Sequence, residues 1–206
     1  MAEYKKIVIF GSTGNTGLCC VEEALKLDYE ITAFLRDPSK LPEELTSKVK
    51  VIVGDVLKED DVETAIQGQD AVIIVLGTRN DCSPTTMMSK GTKNILEAMQ
   101  KSNVKRVSVC ASAFNFWDRE KVPERFHNIL DDHTRMLDIL KNCDREWVAV
   151  LPPHITNDAG TKDYMMEHGK GPGRTISKYD LAHFMVTCFT EDKNLKQWCG
   201  LCDKPQ

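Results

Sequence analysis

The sequence lacks several features that would place it in other functional classes. No apolar stretch approaches the ~20 residues needed to cross a bilayer, and the first strand begins too soon to leave room for a signal peptide. A formal charge of −4, with basic residues interspersed among acids, gives no reason to expect a nucleic-acid or membrane partner. We therefore expect a cytosolic protein.

Metal-ligand sets are also missing. Of the eight cysteines, only Cys199 and Cys202 form a C-x-x-C pair, and no second pair or nearby histidine completes a zinc site. This pair lies in a C-terminal tail that we expect to be frayed. The cysteines are best interpreted as reduced thiols that serve as small hydrophobic residues, and we expect no metal.

What the sequence does contain is a regular alternation of strands and helices. Six apolar segments predict strands over residues 7–10, 30–35, 49–53, 70–76, 106–111 and 146–151, and helices are predicted over 18–27, 59–66, 84–101, 122–143 and 178–189. This pattern predicts an α/β fold: one Rossmann-like domain over residues 1–206, built on a doubly wound parallel sheet. Residues 157–173 predict a loop-rich C-terminal portion over the carboxyl edge of the sheet. Ser177 and Asp180 predict a weak capping box at the last helix.

A glycine turn follows the first strand directly. Gly11, Gly14 and Gly17 have the spacing G-x-x-G-x-x-G. Glycine lets the backbone approach a diphosphate closely, and the N-terminus of the following helix directs free N–H groups at that anion. A tight turn without a ligand would share this spacing, but the position between first strand and first helix favours a dinucleotide site.

The end of the second strand indicates which dinucleotide is bound. An NAD-selective site usually carries an acid here, whereas this chain has Arg36, with Ser39 and Lys40 close behind. A guanidinium can bind a 2′-phosphate through two hydrogen bonds, so we favour NADPH over NADH, although an ordinary surface arginine would also fit. Asp55 ends the third strand, where it either accepts from the adenine amine or only terminates the strand.

Residues after the fourth and fifth strands face the middle of the expected cofactor. Gly77 permits close backbone approach, and Arg79 can reach a diphosphate or an acidic substrate. Ser112 lies where it could hydrogen-bond to the nicotinamide carboxamide or to substrate, or could merely complete a turn. The nearby aromatic residues either stack on a flat substrate or anchor their loop; they are Phe114, Phe116 and Trp117.

Three further residues are ambiguous on sequence grounds. His154 follows the sixth strand and has a side chain whose ordinary pKa suits acid–base work. His133 follows two acids on a long helix, where a histidine is usually structural. Met88 either packs on a ring of the cofactor or belongs to the core.

The proton-transfer pair of most short-chain dehydrogenases, Tyr-x-x-x-Lys, is absent. None of the four tyrosines is followed by lysine four residues later; they are Tyr4, Tyr29, Tyr164 and Tyr179. An NADPH enzyme without this pair should reduce acceptors that need a hydride but little acid catalysis, such as flavins and conjugated tetrapyrroles. Two other classes stay open: a catalytically silent NADP sensor, and a thiol-based transferase that uses Cys110 or Cys188.

Several motifs together resemble the biliverdin-IXβ reductase and NADPH-flavin reductase family, an atypical branch of the short-chain dehydrogenases. The resemblance covers about residues 5–189 and is carried by GSTGNTG, LRDPSKLP, IVGDV, LGTRND, SPTTMMSKGTKNI, FWD, VAVLPPHI and ISKYDLAHFM. It implies a monomeric cytosolic enzyme of heme catabolism that passes a hydride from NADPH to flavins, such as FMN and riboflavin, and to biliverdin isomers other than IXα.

The residues and the resemblance together give a set of predicted site residues. Ser112 and His154 are the predicted active-site pair. The predicted cofactor-binding residues are Gly11, Thr13, Gly14, Asn15, Thr16, Gly17, Arg36, Ser39, Lys40, Asp55, Val56, Leu76, Gly77, Arg79, Met88, Cys110, His133, His154 and Ile155. Two positions depart from the family pattern: Lys40 stands where arginine is frequent, and Ala111 replaces a hydroxyl-bearing residue.

Overall fold

The computed structural model describes residues 4–204. Eight strands form one sheet, in the order β3-β2-β1-β4-β5-β6-β10-β8. The first six in chain order are mutually parallel, which confirms the predicted doubly wound sheet, and they lie in the order 3-2-1-4-5-6. The strands of this sheet are β1 (Lys6–Phe10), β2 (Glu30–Leu35), β3 (Lys50–Val53), β4 (Ala71–Ile74), β5 (Arg106–Cys110), β6 (Glu146–Leu151), β8 (Tyr164–His168) and β10 (Gln197–Asp203).

Helices cover both faces of the sheet and enclose two apolar cores. They are α1 (Asn15–Lys26), α2 (Glu43–Thr46), α3 (Glu59–Ile66), α4 (Met87–Lys101), α5 (His127–Lys141) and α6 (Lys178–Thr187). One core includes residues of α1 and α6, and the other includes residues of α3, α4 and α5. Along β1, Ile7 and Ile9 belong to the first core while Val8 and Phe10 belong to the second. Burial on both faces explains why this strand is continuously apolar.

Element boundaries differ modestly from the predicted ones. The glycine turn leads into α1 already at Asn15, and α4 begins only at Met87. The predicted helix over residues 122–143 begins at His127, because two 3-10 turns occupy the preceding segment. Among residues 4–204, no helix is both long enough and apolar enough to span a membrane.

The prediction of a frayed C-terminal tail is wrong. β10 pairs in parallel with β6 and antiparallel with β8, so it lies inside the sheet rather than beyond it. Cys199 and Cys202 are buried there, and both are free thiols. Residues three apart on a strand point to opposite faces, so this C-x-x-C spacing does not bring the two thiols together.

The predicted loop-rich portion contains more regular structure than expected. β8 extends the main sheet, which is therefore mixed at one edge. Two further strands, β7 (His154–Thr156) and β9 (Thr175–Ser177), form a small parallel sheet just beyond the carboxyl end of β6. The position of β7 fixes the backbone of His154, whose N–H donates to the Arg174 carbonyl at 3.1 Å.

Only half of the predicted capping box forms. The Ser177 hydroxyl oxygen accepts from the Tyr179 N–H at 3.2 Å, as a cap should. The Asp180 carboxylate does not return to the Ser177 N–H; it accepts from the N–H groups of Thr161 and Lys162 at 3.0 and 2.7 Å. The Ser177 N–H donates to Asp203 instead. The start of α6 therefore anchors the loop that follows β7.

Candidate dinucleotide site

The glycine turn lies where the strand order reverses, with β2 on one side of β1 and β4 on the other. Gly11 has φ +88°, and a Cβ atom there would lie 2.2 Å from the Val75 carbonyl oxygen. A Cβ atom at Gly17 would lie 2.0 Å from the Gly11 carbonyl oxygen. Both positions therefore require glycine so that the turn can pack against β4 and against itself. The Ser12 hydroxyl ties the turn to β2 by donating to the Phe34 carbonyl at 3.0 Å.

The crevice beside this turn suits a dinucleotide. Gly14 is the N-cap of α1 and offers no side-chain acceptor to the first N–H groups of the helix. These donors suit a diphosphate, together with the neighbouring Thr13, Asn15 and Thr16. At the end of β4, a Cβ atom added to Gly77 would meet nothing within 4 Å. Open space therefore lies beside the turn where the middle of a dinucleotide belongs.

Arg79 crosses this crevice from the segment after β4. Its Nη2 atom lies 3.5 Å from the Thr13 carbonyl oxygen. Arg79 and Asn80 both have positive φ, at 54° and 70°, so the tip of this segment has a backbone conformation that is uncommon for non-glycine residues. The Arg79 side chain thus lies against the glycine turn, and its contact with a diphosphate or an acidic substrate stays a prediction.

The residues predicted to bind a 2′-phosphate lie together after β2. Arg36, Ser39 and Lys40 are all exposed, and Arg36 forms no ion pair within residues 4–204. Asp37, which sequence reasoning missed, lies among them and caps the 3-10 turn Pro38–Lys40. Hydrogen bonds from Ser39 lower the pKa of Asp37 below its usual value.

The predicted adenine side is built by the end of β3 and by α4. Asp55 forms a local turn, because its Oδ1 atom accepts from the Leu57 N–H at 3.0 Å. Asp55 therefore forms the turn that ends the strand, and adenine binding by this residue stays a prediction. Val56 is buried beneath Gly91 of α4, and Asn94 donates to the Val56 carbonyl at 3.0 Å.

A buried carboxylate on α5 caps the N-terminus of α4, and sequence reasoning missed it. Asp132 is 0% exposed; its Oδ2 atom accepts from the N–H groups of Met88 and Ser89 at 3.0 and 3.4 Å. Its Oδ1 atom accepts from the Ser89 hydroxyl and from Arg135, whose Nη2 atom is 3.1 Å away. The signal was present: Asp132 lies at helical spacing from Met136, on the apolar stripe of α5, where a charge requires a partner.

Met88 and His133, two residues with ambiguous roles in the sequence, lie next to this cap. Met88 is 1% exposed within the apolar core, which favours the core interpretation over stacking on a cofactor ring. His133 follows Asp132 on α5, and its Nδ1 atom is sealed from solvent without a hydrogen-bond partner. Burial lowers the pKa of His133 to about 4, despite the adjacent carboxylate. This histidine is therefore neutral at physiological pH.

The predicted active-site pair lies on adjoining strand ends. Backbone hydrogen bonds from Ala111 to Val150 and from Ala113 to Pro152, at 2.8 and 2.9 Å, join the segments after β5 and β6. Ser112 and His154 follow these two strands. The Ser112 Oγ atom accepts from the Phe114 N–H at 3.2 Å, so it completes a turn while its own hydrogen stays available to donate. His154 is exposed.

The aromatic loop is anchored by ring contacts, and stacking on a substrate stays a prediction. The rings of Phe116 and Trp198 are 6.1 Å apart, which anchors the loop to the main sheet. Phe114 packs between Trp117 and Phe126, with ring centroids 5.3 and 5.2 Å away. Trp117 nevertheless keeps 51% of its surface exposed.

The thiols proposed for a transferase are poorly suited to that chemistry. Cys110 and Cys188 are buried, and burial raises the pKa of Cys110 to about 12 and that of Cys188 well above its usual value. The thiolate is the nucleophile, so both groups are unreactive thiols at neutral pH.

Ile155, after His154, is half-buried and packs against the first core.

Comparison with known proteins identifies the family. The chain matches the NAD(P)H-binding family over residues 11–192. It belongs to this family. Membership confirms the predicted nicotinamide cofactor, NADPH or NADP; because the family description covers NAD as well, the preference over NADH stays a prediction. An oxidoreductase from Pestalotiopsis microspora is 30% identical over 212 residues, which cover 90% of this chain and 79% of that protein.

Other proteins similar to this chain are longer or more distant. The chain spans only 32% and 36% of the first curated relatives it matches, a 3-beta-hydroxysteroid dehydrogenase from Mycolicibacterium neoaurum and an epimerase from Escherichia coli O157:H7. A Veillonella parvula short-chain dehydrogenase/reductase in complex with NADP has a TM-score of 0.77 at 17% identity, over 97% of this chain and 95% of that one. ChuY, an anaerobilin reductase from E. coli O157:H7, has a TM-score of 0.81 at 17% identity, over 98% and 100%. These structures confirm the predicted α/β fold.

Proposed function

We propose that this protein is an NADPH-dependent reductase that passes a hydride to flavins, such as FMN and riboflavin, and to biliverdin isomers such as IXβ. The observation that carries the proposal is the half-exposed Trp117 on the loop after β5, in a sequence that lacks a Tyr-x-x-x-Lys pair. A flat conjugated acceptor can stack on an exposed indole and needs little acid catalysis by the protein.

The chain's own residues would bind and orient the reactants. When bound, NADPH supplies the hydride from C4 of its nicotinamide. The glycine turn and α1 would hold the diphosphate, and Arg36 with its neighbours would hold the 2′-phosphate. The free hydroxyl hydrogen of Ser112 would donate to the carboxamide or to a polar atom of the acceptor. Positioning of this kind can supply a large part of the rate enhancement.

The proton that accompanies the hydride is proposed to come from solvent. His154 is exposed at the rim of the site, so water reaches it directly. Its role would be to orient the acceptor rather than to protonate it. The hydride would reach N5 of a flavin or a bridging carbon of a bilin, and water would supply the accompanying proton to N1 of the flavin or to a pyrrole nitrogen of the bilin.

The names of similar proteins support a reductase. The chain resembles ChuY, named as an anaerobilin reductase, and a divinyl chlorophyllide a 8-vinyl-reductase from Arabidopsis thaliana, to which it is 26% identical over 217 residues. As the sequence resemblance implies, we also propose that the protein acts as a monomer in the cytosol, in heme catabolism. Sedimentation of the purified chain tests the monomer.

Competition between acceptors tests the function. Purified protein is mixed with NADPH and either FMN or biliverdin IXβ, and NADPH oxidation is followed by absorbance. We expect both acceptors to be reduced and each to inhibit reduction of the other, because they share one site. Binding of NADPH without oxidation by either acceptor would instead support a silent NADP sensor.

A further inference from the structure

The turn after β2 holds an aspartate among the groups proposed to bind the 2′-phosphate. Asp37 Oδ1 accepts from the Ser39 N–H at 3.1 Å and from the Ser39 hydroxyl at 2.6 Å. The Lys40 ammonium lies 3.7 Å from Asp37 Oδ2. One carboxylate therefore engages two of the three side chains that the phosphate would need.

A phosphate and this carboxylate require the same donors. A 2′-phosphate is an anion with three acceptor oxygens, and it is bound through O–H and N–H donors and positive charge. A hydroxyl has a single hydrogen, so Ser39 cannot donate to Asp37 and to a phosphate at the same time. The Lys40 ammonium likewise already faces the Asp37 carboxylate, with which a phosphate would have to compete. Arg36 alone is without an acidic partner in the described part of the chain.

We infer that Asp37 is an affinity- and specificity-determining residue that competes with the 2′-phosphate for Ser39 and Lys40. The inference rests on the proposed function, specifically on the assignment of the 2′-phosphate to this turn. Its consequence is that Asp37 weakens the binding of NADPH and NADP and favours their release. NADH has no 2′-phosphate and does not meet this competition.

Asp37→Asn tests the inference with little change to the fold. Asparagine caps helical turns about as well as aspartate, so it can still accept from the Ser39 N–H while it no longer carries the charge that attracts Lys40. The matched control is Asp144→Asn. Asp144 is exposed and paired with Arg145 at 2.7 Å, but it lies between α5 and β6, at the amino edge of the sheet.

The measurement is calorimetric titration with NADPH and with NADH. We expect Asp37→Asn to bind NADPH about three- to tenfold more tightly at low salt, less so at high salt, because a unit charge near an exposed dianion is partly screened. Affinity for NADH should change by less than about twofold. The gain should shrink in a Lys40→Gln background, and Asp144→Asn should leave both affinities unchanged.

Several results would overturn the inference. Unchanged or weaker NADPH binding by Asp37→Asn contradicts it. Equal weakening of both cofactors would mean that Asp37 only shapes the loop, and selective weakening of NADH would mean that it accepts from the ribose hydroxyl. A second variant, Arg36→Gln, shows whether the role of Asp37 is wrong or whether the 2′-phosphate does not bind at this turn at all. If Arg36→Gln leaves NADPH affinity intact, the 2′-phosphate lies elsewhere; if it weakens NADPH while Asp37→Asn has no effect, only the role of Asp37 is wrong.

Discussion

The buried carboxylate that caps α4 yields the sharpest prediction on stability. We expect Asp132→Asn to destabilise the protein markedly, although the two side chains have nearly the same size. Asp132 accepts from two backbone N–H groups through one oxygen, and from Ser89 and Arg135 through the other. Asparagine has a single acceptor oxygen, so one of these two sets of donors loses its partner.

The magnitude follows from the contacts that remain. If the backbone side is lost, two donors at a buried helix end are left unsatisfied, at about 1–3 kcal/mol each. If the other side is lost, the Arg135 ion pair breaks; breaking a buried pair costs about 3–5 kcal/mol, and less here because Arg135 is partly exposed. We therefore expect a loss of about 2–4 kcal/mol in the free energy of unfolding. For a chain of this size each kcal/mol corresponds to roughly 2–4 °C in Tm.

Urea denaturation of both proteins, followed by circular dichroism, measures the difference. The control is Asp138→Asn on the same helix, where an exposed carboxylate lies 3.8 Å from Lys141. Exposed pairs of this kind contribute about 0–1 kcal/mol. A loss of less than 1 kcal/mol by Asp132→Asn, or an equal loss by the control, would refute the reasoning from buried donors.

Three further predictions concern the cofactor, the proton and pH. Arg36→Gln should raise the Kd for NADPH about tenfold or more by calorimetry, since hydrogen bonds to charged groups contribute about 1.5–3 kcal/mol, and should leave NADH unaffected. His154→Ala should reduce flavin turnover by well under about a thousandfold at every pH, because an orienting residue contributes less than an obligatory acid; a larger loss would identify His154 as that acid. Burial lowers the pKa of His133 to about 4 in the folded protein, whereas it has the ordinary value of 6.5 in the unfolded chain. Between these two pH values the unfolded chain binds more protons than the folded one, so the free energy of unfolding falls as the pH drops through this range. His133→Gln should remove about 2–3 kcal/mol of this fall between pH 7 and 4.5 in urea titrations, and an unaltered pH profile would contradict the burial.

Local sequence patterns predicted the parts of the fold that depend on nearby residues. β1, the glycine turn and α1 are contiguous, and their apolar run and glycine spacing carry the whole signal. The alternation of strands and helices predicted a doubly wound parallel sheet, but not the order of its strands. Gly17 could be placed because its closest contact, with the Gly11 carbonyl, lies within the turn, whereas Gly11 is also required by a contact with the Val75 carbonyl, 64 positions away.

The missed features depend on contacts between distant residues. β10 pairs with β6 across about fifty residues, as in Cys199 with Val150, and its sequence has no β-branched residue to mark a strand. Asp132 caps a helix that begins 45 positions earlier. Asp180 was predicted to cap its own helix. Its buried carboxylate instead accepts from the backbone N–H groups of residues 161 and 162, because these two donors of the neighbouring loop need an acceptor.

Transfer of deuterium from NADPH to a bilin tests the central claim most directly. NADPH labelled at C4 of the nicotinamide, on each face in turn, is incubated anaerobically with the protein and biliverdin IXβ, and the product is examined by mass spectrometry. The account predicts that label from one face appears on the bridging carbon of the reduced bilin. A product without deuterium from either face, or NADPH that binds and is not consumed, would contradict direct hydride transfer.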